Sequence, residues 1–115
     1  MGIEEKSTLI SGTDRELLHD IKDLVQRFLP AATVLLYGSV ARGTRTTESD
    51  YDILVLTDGA LTSREEQDLD AALFDLGLDR DAVICAIFHT KAEWERPPLS
   101  GSPFHENVEQ DAILL

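Results

Sequence analysis

The sequence is poor in the residues that cross-link a chain, anchor it in a bilayer or carry it to a polyanion. Cys85 is its single cysteine, so an intrachain disulfide is excluded. It lies in the apolar run VICAIF, where a small buried residue is expected rather than a catalytic thiol. No apolar stretch approaches the ~18 residues that a bilayer span requires. The opening residues MGIEEKST have neither the basic nor the apolar region of a secretory leader, so the expected location is cytoplasmic, with no membrane partner. Basic residues are also few: 10 Lys and Arg stand against 22 Asp and Glu, a formal net charge of -12. A broad nucleic-acid surface works by neutralising phosphates, and this balance argues against one. A basic protein partner or a divalent cation is favoured instead.

What is present is an ordinary globular mixture, 43% hydrophobic and 28% charged over 115 residues, enough for one compact domain and too little for two. Residues 1–115 are therefore expected to form a single domain with an N-terminal tail over 1–11 and a linker to the last helix over 96–103. Leu17, Leu18, Ile21, Leu24, Val25 and Phe28 recur at the helical spacing. They predict a helix over 13–29, with Thr13 and Glu16 as a capping box and Pro30 as its end. TVLLY over 33–37 reads as a buried strand stopping at Gly38, followed by a helical turn over 39–42 and a loop. DYDILVLT over 50–57 reads as a second, central strand, apolar on both faces beyond Asp52.

A helix over 62–77 follows, with Leu69, Ala72, Leu73 and Leu76 inward, Thr62 and Glu65 as its cap, Gly77 as its stop and the acidic EEQDLD as a solvated face. Ala82–Phe88 is the third strand. Thr90 and Glu93 cap a short helix holding Trp94, and Ser102 caps a last helix that begins at Pro103, with Phe104, Val108 and Ala112 inside. The terminal AILL is either docked on the sheet or part of a subunit contact, which would make a homo-oligomer. The fold class is α/β (α+β): a small mixed sheet covered by helices. His19, His89 and His105 have no zinc-site spacing.

The chemistry concentrates between 38 and 52. Residues two apart on a strand share a face, so Asp50 and Asp52 stand together at the mouth of an apolar strand. Their repulsion raises one carboxyl's pKa or weakens the strand end unless a cation lies between them. Mg2+ takes oxygen ligands and is commonly held by one or two carboxylates plus substrate phosphate oxygens. Gly38 permits close approach of a ligand, Ser39 offers a hydroxyl and the first amides of a helical turn, and Arg42 and Arg45 can complement phosphate charge. Arg45 reads equally well as an ordinary loop charge. These are the parts for phosphoryl or nucleotidyl transfer.

Gly38-Ser39, ten intervening residues and then Asp50-Tyr51-Asp52 resembles the signature of the polymerase-beta-like nucleotidyltransferases. The wider LYGSVARGTRTTESDYDILVL, with SPFHENVEQDAILL at the end, is similar to the minimal nucleotidyltransferase branch, many of whose members are antitoxins. The resemblance implies the nucleotidyltransferase fold, Asp50 and Asp52 holding two Mg2+ ions, and Ser39 at the triphosphate of ATP or another nucleotide. The implied reaction transfers a nucleoside monophosphate, most often AMP, to a hydroxyl. The implied acceptor is a helical ribonuclease toxin of the HEPN class. The family also uses a third carboxylate on the next strand. AVICAIF contains none, which leaves Asp81, at the strand's start, as the candidate. Three readings stay open: a Mg2+-dependent transferase acting on a partner protein, a non-catalytic member that restrains its partner by contact alone, and, less favoured, small-molecule modification as in aminoglycoside nucleotidyltransferases, which carry a further acceptor-binding domain.

Overall fold

Residues 12–43 and 50–115 are described by a computed structural model, the side chain of Thr13 excepted. The expected tail over 1–11, the capping side chain of Thr13 and Arg45 lie outside the described residues. In chain order the elements are α1 (Gly12–Phe28), β1 (Thr33–Tyr37), α2 (Gly38–Arg42), β2 (Tyr51–Thr57), α3 (Ser63–Arg80), β3 (Ile84–Thr90), α4 (Lys91–Trp94), α5 (Pro103–Asp111) and β4 (Ile113–Leu114).

The four strands form one mixed sheet in the order β3-β2-β1-β4. β1 runs antiparallel to β2 and β4, and β2 runs parallel to β3. The centrality expected of β2 holds, and its two faces serve two cores. Tyr51, Ile53 and Val55 face α1 and α3, joining Leu18, Ile21, Val25, Leu69 and Leu73. Leu54 and Leu56 face the other way onto Trp94 and Val108, with Tyr37, Phe104 and Ala112 packed around them. Burying a side chain of this size contributes roughly 1.5–3 kcal/mol, so the apolar alternation in β1 and β2 locks the strand register as well as the layers. The terminal AILL is docked: β4 pairs with β1, Leu36 opposite Ile113.

The helix ends follow local chemistry. Thr62 with Glu65 and Thr90 with Glu93 each form a complete capping box, and Ser102 accepts from the His105 amide ahead of Pro103. Gly77 departs from expectation. It does not stop α3, which runs on to Arg80 and ends at Asp81, a left-handed cap with φ 54. Asp tolerates that conformation better than most residues. Gly77 is instead a packing residue, because a Cβ there would stand 2.5 Å from the carbonyl oxygen of Ala82. Gly77→Ala is expected to lower the urea midpoint: overpacking against backbone costs about 1–3 kcal/mol, more than the ~1 kcal/mol that Ala gains in helix propensity.

The third strand begins two residues later than expected, at Ile84: the Ala82 amide is still bonded to the Gly77 carbonyl at the end of α3, and Val83 contributes only its carbonyl, which accepts from the Tyr51 amide. Cys85 also corrects an expectation, being exposed rather than buried. β3 is an edge strand; Ile84, Ala86 and Phe88 pack on the α1/α3 core, whereas Val83, Cys85 and Ile87 face the side on which α4 and α5 cover only the neighbouring strands.

Candidate functional site

The candidate site forms where β1 ends and β2 and β3 begin. Strand register aligns Tyr37, Asp52 and Cys85 across three neighbouring strands, Tyr37 opposite Asp52 and Asp52 opposite Cys85. Asp50 lies immediately before β2, and its Oδ2 accepts from the Cys85 thiol at 3.5 Å. The two carboxylates are thus brought to one end of the sheet, as their spacing implies.

Gly38 makes this arrangement possible. The chain turns from β1 into α2 at this residue with φ 78, in the left-handed region. A Cβ on Gly38 would lie 2.2 Å from Asp52 Oδ2. The Asp52 carboxylate therefore occupies the space that any side chain at 38 would take. Ser39 follows in the first turn of α2, and Val40 and Ala41 anchor that turn in the core. Arg42, on the same turn, lies 3.9 Å from Asp111 of α5.

The electrostatics are those of two crowded acids. Burial and then the like charge of Asp50 push the Asp52 carboxyl above its ordinary range, against the opposing pull of the Arg42 guanidinium. Tyr37 is pushed up to about 12, first by burial and then by the charge of Asp52 and of Cys85. The Cys85 thiol is also pushed up, by partial burial of the sulfur, its hydrogen bond to Asp50 and the charges of both aspartates. The site therefore favours bound positive charge and keeps the thiol protonated.

Among the described residues no group of three or more His, Cys, Asp and Glu is disposed to hold a metal ion by itself. The donor set fits a different arrangement, two hard carboxylate ligands with the remaining positions filled by substrate phosphate oxygens and water, which is how Mg2+ is usually held. Asp81 is not part of the row: it caps α3 and lies three residues before β3 starts. Trp94 is a core residue, 5% exposed, its ring edge-on to Phe104 and its indole N–H donating to Glu109.

Sequence reasoning overlooked the support behind the site. Tyr51 projects from between the two aspartates to the opposite face, where its hydroxyl donates to the buried carboxylate of Asp14 on the first turn of α1. This ties the N-terminal end of β2 to α1. The available signal was position: Asp14 precedes Leu17, Leu18, Ile21 and Val25 on the apolar face of the helix, where a carboxylate needs a buried donor.

A family model described as a nucleotidyltransferase domain matches residues 15–114. Among solved structures, the chain is similar to one in a crystal structure of a toxin-antitoxin with AMP-PNP, at 21% identity and TM-score 0.60, covering 84% of this chain and 69% of that one. No curated protein matches the sequence.

Proposed function

The chain belongs to the nucleotidyltransferase domain family, and on that premise we propose that it transfers AMP from ATP to a hydroxyl on a partner protein, a toxin of the HEPN type, with release of pyrophosphate. In that reaction the acceptor oxygen forms a bond to the α-phosphorus, the bond from that phosphorus to the bridging oxygen of the pyrophosphate breaks, and the hydroxyl proton passes to solvent. The observation that carries this reading is the Asp52 carboxylate seated against Gly38 with Asp50 beside it. Asp50 and Asp52 would hold Mg2+, Gly38 and Ser39 would meet the triphosphate, and Arg42 would supply phosphate-complementary charge by leaving Asp111. Arg45 has the same proposed role from the segment outside the described residues. Bound Mg2+ supplies charge neutralisation at the pyrophosphate leaving group. The likeness to a chain from a toxin-antitoxin with AMP-PNP supports both the nucleotide and the partner.

A second reading has its own observation. The position across the sheet from Asp52 is Cys85, a thiol, and Asp81 is a helix cap outside the row. A member without a third carboxylate would bind nucleotide and partner yet transfer slowly or not at all. The test is incubation with α-labelled ATP, Mg2+ and the product of the neighbouring gene. Label on that product is the expected result, and tight binding without label overturns the transferase reading. Cys85→Asp sharpens the comparison. It places a carboxylate opposite Asp52, and a gain in transfer on the order of 10²-fold is the result expected if the wild type lacks only a third carboxylate, whereas no gain shows that a carboxylate at 85 is not what limits transfer.

A further inference from the structure

The helical face opposite the Asp50/Asp52 row carries a groove between α1 and α3 of about 500 Å³. Its lining combines apolar Leu24, Ala72 and Leu76 with four carboxylates, Asp20, Asp23, Asp75 and Asp79, against one cation, Arg27, whose Nε donates to the Asp23 carbonyl. At one lip Leu78 is 67% exposed, and Phe74, one turn earlier on α3, is 65% exposed. Isolated exposed apolar residues need no explanation, but two large ones at i and i+4 beside an apolar groove form a patch with a direction.

The charge around the patch decides what can cover it. Asp20 is paired with Arg80, and Asp23 lies 3.6 Å from His19. Asp75 and Asp79, again i and i+4 on α3, take part in none of the ion pairs among the described residues. Like charges at that spacing repel one another, and a cation from outside relieves both. A second copy of this chain placed on the same face would set carboxylates against carboxylates, which complementarity disfavours. We propose that the outer face of α3, beside the groove at its Leu78 lip, docks a basic amphipathic helix of the partner protein, its apolar side chains meeting Phe74 and Leu78 and its Lys or Arg side chains pairing with Asp75 and Asp79. The inference rests on the partner half of the proposed function and adds the location and chemistry of the contact. Docking on this face leaves the Asp50/Asp52 row open to nucleotide.

The test uses a synthetic helical peptide with Leu at helical spacing flanked by Lys, and a matched peptide in which Glu replaces Lys. Amide chemical shifts of the isotope-labelled full chain report where each binds. The expected result is perturbation of α1 and α3 by the Lys peptide alone. Binding should weaken at least about tenfold in Phe74→Asp/Leu78→Asp and in Asp75→Lys/Asp79→Lys, and should fall with added salt. Both double variants alter exposed side chains, and Mg2+ with AMP-PNP is expected to perturb residues around Asp50 and Asp52 equally in all three proteins. Perturbation centred elsewhere, unchanged affinity in either double variant, or equal binding of the Glu peptide overturns the proposal. A wild-type dimer in sedimentation that Leu78→Asp dissociates also overturns it, assigning the face to a second copy. Loss of the AMP-PNP response with the peptide response intact counts against the nucleotide site alone.

Discussion

Asp52→Asn is expected to reduce nucleotidyl transfer on the order of 10²–10³-fold, the scale of removing one group aimed at developing charge in a transition state. The substitution keeps the shape of the side chain beside Gly38 and removes the charge that would hold Mg2+. It is also expected to stabilise the fold in metal-free buffer at neutral pH. Burial and Asp50 raise the folded-state pKa of Asp52 above its ordinary value of 3.8. The folded state therefore holds this proton more tightly than the unfolded chain, and ionisation opposes folding at every pH above the folded pKa. As pH falls through that folded value toward 3.8 the wild-type carboxyl protonates and the penalty disappears. The melting temperature of Asp52→Asn should accordingly exceed that of wild type at pH 7, and the gap should close in acid. Lost transfer with unchanged or lower melting temperature would mean that the carboxylate is held by a partner cation rather than crowded by Asp50.

Gly38→Ala is expected to damage both stability and transfer, where Asp52→Asn damages transfer alone. The backbone at 38 is left-handed, and the new methyl group would land on Asp52 Oδ2. Strain of this kind costs about 1–3 kcal/mol, measurable as a lower denaturant midpoint. The carboxylate must also move, and a displacement near 1 Å at a reacting centre costs on the order of 10²-fold in rate. Transfer should fall at protein concentrations and temperatures where the variant is fully folded. A folded Gly38→Ala protein with wild-type transfer would show that the position of Asp52 is not set by this glycine.

The contrast between these two residues shows how much of the molecule was legible in its sequence. Gly38, Asp50 and Asp52 announced themselves because local rules govern them: a strand ending at glycine, and two acids at strand spacing before ILVL. The nucleotidyltransferase fold was readable on the same residues. The capping boxes at Thr62 and Thr90 were legible for the same reason, as was the docked β4 as one of two alternatives. Gly77 was not, because its role depends on the carbonyl of Ala82 returning over the helix end, a tertiary contact with no local signature. Cys85 was misjudged on burial because an apolar run does not reveal whether its strand lies at the centre or the edge of a sheet. Its place beside Asp52, and that of Tyr37 on the other side, follow from cross-strand register, which pairs residues 33 and 15 positions away and leaves no trace in spacing. The Asp14–Tyr51 contact was hidden similarly, by a separation of 37 residues.

Calorimetric titration with AMP-PNP tests most directly whether Gly38, Asp50 and Asp52 form one Mg2+–nucleotide site. The wild-type protein is expected to bind AMP-PNP in the presence of Mg2+, to lose that binding when the ion is chelated, and to lose it likewise in Asp50→Asn/Asp52→Asn. Equal binding with and without Mg2+, or equal binding by wild type and the double variant, would contradict a shared site.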